Sequence, residues 1–155
     1  MGNHDMGRIG YQIRNAVLDS DLTGALERAK LANALLFLLR GSPALYYGDE
    51  KGMAGEGGDK QARQDMFPTQ VLAWQSQARI GSAPIGTASS FDQVHPLELQ
   101  VTELQGLIAA NPALRDGTQQ VRTTLGDVFV VTRFANDQEY FVAFNGSDES
   151  ASATF

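Results

Sequence analysis

The sequence predicts an α/β protein of the barrel type with a separate β-rich segment at its C-terminal end. Residues 25–40 form a long apolar helix pattern, followed by a turn, a short apolar strand over residues 44–47, a glycine-rich loop and a second helix. Helix, strand, loop and helix in this order are typical of α/β barrels. After Gly117 the apolar period changes to two, which predicts antiparallel strands.

Composition and charge narrow the classes of function. The chain has 155 residues, of which 43% are apolar and 19% charged, as in a soluble globular protein of one domain or parts of two. A formal net charge of −6 without a basic patch argues against nucleic-acid binding. The longest apolar run, residues 34–39, is too short for the roughly 20 residues of a membrane span. The absence of cysteine excludes disulfides and thiolate metal sites, whereas neutral ligands such as sugars fit this composition.

Local signals define the elements of the first part. Residues 11–17 are expected to form a helical turn within a loop-rich start. The helix over residues 25–39 is capped by Thr23 or Gly24 and is apolar around nearly its whole circumference, which predicts burial on more than one side. Residues 44–47 are a continuous apolar run, as in a parallel strand that is covered on both faces.

A second long helix and three strands complete the predicted elements. A short helix is expected within residues 71–79. Pro96 begins a helix with one apolar stripe, and Asn111-Pro112 ends it. Strands are predicted at residues 120–124, 128–134 and 140–144. The change of period places a domain boundary that separates residues 1–116 from residues 117–155.

The densest polar cluster is Asn3-His4-Asp5, and two interpretations of it are open. A surface loop near a terminus explains such a triplet on its own, whereas a catalytic or binding role needs further support. A metal site is disfavoured, because the chain has only two histidines, far apart, and no His-Glu-x-x-His motif. The glycine-rich loop over residues 52–60 lacks the lysine spacing of a phosphate-binding loop, so an active-site loop or a connector fits it.

The residues around the predicted strand offer further candidates. Asp49 and Glu50 are adjacent on an extended segment, so their side chains point to opposite faces and cannot both serve one bond. Arg63 is interpreted as a structural ion-pair partner near these carboxylates. Tyr46 and Trp74 could stack on sugar rings, although core packing is the commoner role of such residues.

Two motifs resemble those of the α-amylase superfamily, glycoside hydrolase family 13, and they occur in the order in which that family carries them. Residues 2–8, Gly-Asn-His-Asp-Met-Gly-Arg, resemble the Asn-His-Asp signature that ends the seventh barrel strand of that family. Residues 41–50, with the pattern Gly-x-Pro-x-x-x-x-Gly-x-Glu, are similar to its eighth-strand motif. Residues 28–36 resemble its seventh helix, and residues 95–114 resemble its eighth helix and the run into the C-terminal β domain. The resemblance therefore covers the whole chain.

The resemblance implies a partial TIM (β/α)8 barrel, with the end of strand 7, helix 7, strand 8 and helix 8, followed by a truncated antiparallel β-sandwich. It implies a fragment of a retaining glycoside hydrolase that acts on α-glucosidic bonds of starch or maltodextrins. Asp5 would be the catalytic carboxylate that supports the oxocarbenium-like transition state. His4 would bind a sugar hydroxyl, and Asn3, grouped with it as a substrate-binding residue, would hold the loop. The expected partner is an α-glucan or oligosaccharide, without nucleic acid or membrane, and no cofactor or metal is expected in this chain.

The chain also departs from the family pattern. The nucleophile and acid/base motifs that the family carries on strands four and five are absent, and a whole barrel needs about 250 residues. The chain is therefore expected to be the C-terminal part of an enzyme, to need the missing N-terminal barrel residues, and to be inactive and prone to associate alone. Calcium in the full-length parent and a periplasmic or secreted location stay open. The alternatives are a transglycosylase or isomerase of the same superfamily and a non-catalytic carbohydrate-binding or scaffolding relative.

Overall fold

A computed structural model describes residues 2–17, 21–152 and 154 of the chain. Within these ranges the helices are α1 (Ile9–Ala16), α2 (Leu22–Leu38), α3 (Leu72–Gln75), α4 (Pro96–Ala110) and α5 (Pro112–Arg115). The strands are β1 (Thr118–Leu125), β2 (Val128–Ala135) and β3 (Gln138–Asn145). No helix among the described residues is both long enough and apolar enough to cross a lipid bilayer.

The described residues form two compact units. The first unit combines the described residues up to Lys30 with Ala44–Thr102, and the second combines Leu31–Pro43 with the described residues from Glu103 onward. Helices α2 and α4 each contribute residues to both units. Because this division cuts both helices, it does not test the domain boundary between residues 116 and 117, which stays a prediction.

The core of the first unit is built from α1, the start of α2 and apolar residues of the later loops. Its buried cluster consists of Ile13, Ala25, Ala29, Ile80 and Leu97. Burying one isoleucine or leucine side chain stabilises a fold by about 1.5–3 kcal/mol. The cluster therefore fixes the loop that carries Ile80, and the start of α4, against the two N-terminal helices.

The strand predicted over residues 44–47 is not formed. Residues 42–46 have no regular secondary structure, and Asp49–Lys51 form a 3-10 turn. A strand of a parallel sheet needs neighbouring strands for its N–H and C=O groups. The three strands of the described chain all belong to the second unit, so this apolar run has the sequence of a buried strand without the partners of one.

The long helix α2 is confirmed, and its burial agrees in part with the prediction. Its fully buried residues fall on one stripe at intervals of four: Ala25, Ala29, Asn33 and Phe37. Five leucines outside this stripe are partly buried: Leu26, Leu31, Leu35, Leu36 and Leu38. From residue 28 to residue 38 no residue of α2 is exposed, so the expectation that α2 is buried on more than one side is met in part.

A buried histidine holds the start of α4. Pro96 is the first residue of the helix, and the Nδ1 atom of His95 accepts a hydrogen bond from the Leu97 backbone N–H at 3.2 Å. This is the contact of an N-cap residue. The Nε2 atom of His95 lies 2.9 Å from the Ile80 carbonyl oxygen, so the neutral ring carries its proton on Nε2 and satisfies both neighbours.

The surroundings of His95 disfavour a second proton on its ring. Burial lowers the pKa of His95 below its ordinary value of 6.5, and the charges of Arg79 and Lys51 lower the pKa further. The hydrogen bond to Ile80 and the charge of Glu98 raise it. A proton on Nδ1 would also remove the acceptor that caps α4.

We therefore expect the free energy of unfolding to decrease as the pH falls below about 6.5. As the pH falls, the unfolded chain binds a proton at His95 before the folded chain does. The contribution of neutral His95 to the free energy of unfolding is therefore complete above the unfolded pKa and is lost as the pH falls towards the folded pKa. Urea unfolding between about pH 5 and pH 8 measures this slope. The variant His95→Asn keeps an N-cap acceptor and should lose the slope that His95 contributes. A wild-type unfolding free energy that stays constant over this range would contradict the expectation.

The second unit contains the predicted antiparallel meander. Its sheet has the order β1-β2-β3, and tight turns at residues 126–127 and 136–137 join the strands. The register of β1 on β2 shifts between Val121 and Thr123. The strands are somewhat longer than the alternating pattern predicts. The described residues contain only this one sheet, so the β-sandwich stays a prediction.

Two polar side chains connect the meander to the helices of its own unit. Arg133 is buried, and it donates hydrogen bonds to the Leu38 carbonyl oxygen at 2.9 Å and to the Gly117 carbonyl oxygen at 3.2 Å. The first of these satisfies a carbonyl in the last turn of α2. Tyr140 bonds Asn111, the residue before α5. The sequence correctly predicted that α4 ends at Asn111. It did not predict α5, in which Pro112 is the first residue of a new helical turn.

Candidate active site

The predicted site residues lie together on an exposed turn before α1, residues 3–5, which we call the site turn. Asn3, His4 and Asp5 are all exposed. The Asn3 Oδ1 atom accepts a hydrogen bond from the Asp5 backbone N–H at 2.8 Å, which is the contact of an Asx turn. The His4 Nε2 atom lies 3.1 Å from Asp5 Oδ2. The turn therefore presents a carboxylate and an imidazole side by side to solvent.

An arginine from a distant loop holds this turn. The Arg63 Nε atom donates a hydrogen bond to the His4 carbonyl oxygen at 3.0 Å, and its Nη2 atom lies 3.8 Å from Asp5 Oδ1. The same Nη2 donates to Asp59 Oδ2 at 3.2 Å. Asp59 therefore orients the guanidinium, which in turn fixes the backbone of His4 and attracts the carboxylate of Asp5.

The turn is followed by a fully buried arginine. The Arg8 guanidinium donates hydrogen bonds to Gln64 Oε1 at 2.7 Å, to the Tyr47 carbonyl oxygen at 2.7 Å and to Asp49 Oδ1 at 2.8 Å. Its central carbon lies 4.7 Å from the centre of the Tyr46 ring and 5.3 Å from that of Tyr47. Arg8 therefore connects the chain just after the site turn to two other segments of the first unit, residues 46–49 and the loop that carries Gln64.

The carboxylate of Asp49 completes this buried arrangement. Burial raises the pKa of Asp49 above its ordinary value of 3.8, and the charge and hydrogen bond of Arg8 oppose that effect. A Cβ atom on Gly2 would lie only 2.9 Å from Asp49 Oδ2, so the chain just before Asn3 packs directly against the carboxylate. The Arg8–Asp49 pair is therefore part of what positions the site turn.

The acidic pair at residues 49 and 50 does not converge on one place. Asp49 is buried against Arg8, whereas Glu50 Oε2 accepts a hydrogen bond from the Gly48 backbone N–H at 2.8 Å. The two carboxylates serve different neighbours, as predicted, although they lie in a 3-10 turn and not on a strand. The interpretation of Arg63 as their ion-pair partner is wrong, because Arg8 is the partner of Asp49 and Arg63 binds the site turn.

The glycine-rich loop approaches the same region. A Cβ atom on Gly7 would collide with the Gly57 carbonyl oxygen, so the two backbones are in direct contact. Gly48 has φ of +85°, and a Cβ there would lie 3.2 Å from Arg8 Nη2. Residues other than glycine rarely adopt this φ. The glycines of both sequence motifs therefore allow the close approach that brings Arg8 under the site turn.

Two neighbouring tyrosines pack against the buried Arg8. Tyr46 and Tyr47 meet edge to face, with ring centres 4.7 Å apart. Burial and the hydrogen bond with Tyr46 raise the pKa of Tyr47, although 41% of Tyr47 is exposed. Trp74 is partly buried and lines a small cavity together with Gln64. The two tyrosines thus have a structural role beside Arg8, and Tyr47 is also partly exposed.

The chemistry of the site follows from its two polar side chains. The Asp5 carboxylate can stabilise a developing positive charge, and the His4 imidazole can donate one hydrogen bond. Displacement at a sugar carbon needs two further carboxyl groups on either side of the scissile bond. Within the part of the chain that the structure describes, no group of three or more His, Cys, Asp or Glu side chains is arranged to hold a metal ion.

Sequence reasoning found the contiguous triplet but missed the two arginines that hold it. Arg8 lies in the first motif, yet its partner Asp49 is 41 residues away. Arg63 reaches His4 across 59 residues. Arg8 is the only lysine or arginine within residues 2–8 and 41–50, and this was the available signal, because a buried carboxylate requires a partner.

Comparison with known proteins places these residues in a family context. The family model for the alpha-amylase catalytic domain matches residues 1–105. An alpha-amylase of Streptomyces lividans is 39% identical to this chain, over 100% of this chain and 17% of its own length. A cyclomaltodextrin glucanotransferase of Bacillus sp. strain 17-1 is 31% identical, over 98% of this chain and 17% of its own length.

The fold has solved neighbours as well. The crystal structure of a gamma-CGTase from alkalophilic Bacillus clarkii superposes with a TM-score of 0.64 at 26% identity, over 96% of this chain and 17% of that protein. The chain thus spans 17% of the length of the two curated relatives named above. Asn3, His4, Asp5, Arg8 and Arg63 all lie within the residues that the family model matches.

Proposed function

Because this chain belongs to the alpha-amylase catalytic-domain family, we propose that it is part of a retaining glycoside hydrolase that cleaves α-glucosidic bonds in starch or maltodextrins. The catalytic domain of this family is a TIM barrel. In it, this chain would supply the end of strand 7, helix 7 as α2, strand 8 over residues 44–47 and helix 8 as α4. The β1-β2-β3 meander would begin the C-terminal β-sandwich.

The pairing of His4 with Asp5 on an anchored, exposed turn is the observation that carries this proposal. The Asp5 carboxylate would stabilise the oxocarbenium-like charge that develops on the sugar. His4 would donate a hydrogen bond to a hydroxyl of the same sugar, and that bond would strengthen in the transition state. Asn3 would act through the Asx turn that orients Asp5. Arg63 would attract the Asp5 carboxylate and hold the turn that carries it.

The other two carboxyl groups would come from a part of the enzyme outside these 155 residues. A retaining mechanism requires a nucleophile and an acid/base group about 5 Å apart. Residues 42–46 would find their strand partners in the same missing part of the barrel. We therefore expect no glycosidase activity from the 155-residue chain by itself.

A transglycosylase that acts on α-glucans is the second candidate. The match to a cyclomaltodextrin glucanotransferase supports it. Both activities proceed through a covalent glycosyl-enzyme, which is attacked by water in a hydrolase and by a sugar hydroxyl in a transferase. Asp5 and His4 would serve the same transition state in either case, so the site turn does not separate the two.

The first products made by the full-length enzyme that contains this chain test the proposal. With maltoheptaose as substrate, ¹H NMR during the first minutes should show the α-anomer of the new reducing end before mutarotation. Mainly linear products with new reducing ends indicate a hydrolase, and cyclic or lengthened glucans without them indicate a transferase. Initial release of the β-anomer, or no cleavage of maltoheptaose or soluble starch, would contradict the proposal.

A further inference from the structure

We propose that a depression at the turn between β2 and β3 is a second binding site, which takes a pyranose ring of an α-glucan chain. The depression lies in the second unit, whereas Asp5 belongs to the first. It has a volume of about 550 Å³, within the roughly 300–1,000 Å³ of small-molecule sites. Its lining includes the side chains of Gln120, Arg122, Phe134, Asn136, Gln138 and Glu139.

An aromatic ring supplies the apolar part of this depression. Phe134 is 43% exposed although it lies on a β-strand. It pairs across the sheet with Thr118 on one side and Glu139 on the other. A pyranose ring has apolar faces and a rim of hydroxyl groups, so it needs an exposed aromatic face beside polar groups. Phe134 meets the first half of this requirement.

A fixed ion pair supplies part of the polar rim. The Arg122 Nη2 atom donates to Glu139 Oε1 at 2.6 Å, and its Nε donates to Thr132 Oγ1 at 3.0 Å. Arg122 also lies over the ring of Phe141, with its central carbon 5.9 Å from the ring centre. These contacts hold the guanidinium and the carboxylate in place before any ligand arrives. Preorganised polar groups of this kind lower the entropic cost of binding.

Amide side chains supply the rest of the rim. Gln120, Asn136 and Gln138 line the depression, and all three residues are exposed. Each amide offers both donors and an acceptor, which suits the hydroxyl groups of a sugar. Asn136 and Asp137 have φ of 51° and 62°, the conformation of a type I′ turn, so the turn that carries one amide has a defined backbone shape.

The charge of the lining selects a neutral ligand. Arg122 is paired with Glu139, and Asp137 adds a further negative charge, so the depression has no excess of positive charge for a phosphate or another anion. A neutral, hydroxyl-rich ligand is the class that this lining fits. The choice of an α-glucan among such ligands rests on the proposed function.

Titration of the ¹⁵N-labelled chain with maltoheptaose tests the second site. We expect saturable shifts of the backbone amides of residues 136–139 and of the side-chain amide of Gln120. Phe134→Ala should weaken this binding by about tenfold, and Gln120→Ala, which removes hydrogen bonds at an exposed strand position, by about fivefold. The matched control is Phe67→Ala, which removes a phenylalanine that is 61% exposed in the first unit and should leave the shifts unchanged.

The outcomes separate this site from the proposed active site. Asp5→Asn should leave the shifts at residues 136–139 in place. The second site is refuted if maltoheptaose moves none of these resonances, if both Phe134→Ala and Gln120→Ala bind as the wild type does, or if cellohexaose binds equally well. Binding at the turn by a chain whose full-length enzyme cleaves no α-glucan would refute the proposed function, and with it the reason for choosing an α-glucan.

Discussion

Replacing Asp5 with asparagine should lower the kcat of the full-length enzyme by about 10²–10³-fold, the usual cost of removing one preorganised electrostatic contact to a transition state. The substitution keeps the shape of the side chain and removes its charge. Because the proposed contact is made to a charge that exists only in the transition state, kcat and kcat/KM should fall by similar factors. Initial rates with maltoheptaose over a range of concentrations measure both quantities.

The structure also predicts that this variant keeps its fold. The Asp5 side chain is 69% exposed, and its neighbours His4 and Arg63 are exposed as well. Exposed ion pairs contribute about 0–1 kcal/mol, so the free energy of unfolding should change by no more than that. A large kinetic loss with little change in stability is what distinguishes a catalytic carboxylate from a structural one.

Asp116→Asn is the matched control for Asp5→Asn. The Asp116 side chain is also 69% exposed, and it also faces an arginine, Arg115. The control should keep the kcat of the wild type. If Asp5→Asn retains more than about a tenth of the wild-type kcat, Asp5 does not have the role that the proposed function assigns to it.

The site turn could be found from the sequence because its residues are contiguous. Asn3, His4 and Asp5 are adjacent in the chain, and the structure shows that local contacts bring their side chains together. Arg8 binds Asp49, which is 41 residues away, and Arg63 binds His4, which is 59 residues away. No local periodicity carries that information. The support of the turn is therefore a property of tertiary packing, which one sequence does not reveal.

The helices and strands differ in how well local sequence patterns predict them. The helix that became α4 has a proline start, one apolar stripe and a proline after its end, and the structure confirms it as Pro96–Ala110. The meander has alternating residues and tight turns, and it forms its hydrogen bonds within itself. The run over residues 44–47 has equally clear apolar character, but a parallel strand depends on neighbours from elsewhere. Local pattern predicts such a strand correctly only when those neighbours are present.

The largest effect on stability is expected at Arg8. Replacing Arg8 with methionine should lower the free energy of unfolding by about 3–5 kcal/mol, since it leaves the buried carboxylate of Asp49 without its partner. The two side chains are 0% and 5% exposed, so solvent does little to screen the unpaired charge. Urea unfolding of the chain at neutral pH, at a concentration where it is monomeric, measures the loss.

Two further variants separate the buried pair from general damage to the core. Asp49→Asn should cost less than Arg8→Met, because Arg8 keeps its bonds to Gln64 and the Tyr47 carbonyl oxygen. The double variant should be less destabilised than the sum of the two single variants. Arg115→Met, which removes an arginine that is 51% exposed, serves as the control and should cost about 0–1 kcal/mol.

The pH dependence gives a sharper form of the same prediction. Burial already raises the pKa of Asp49 in the wild type, and Arg8 opposes that effect, so Arg8→Met should raise the pKa further. In the variant, folding then binds a proton at Asp49, and stability should decrease as the pH rises from the unfolded pKa, near 3.8, through the folded pKa. The destabilisation by Arg8→Met should therefore be smaller at about pH 4 than at about pH 7, with Asp49→Asn removing the difference. Equal losses at both pH values would show that Arg8 stabilises the fold through its tyrosine and carbonyl contacts and not through the charge of Asp49.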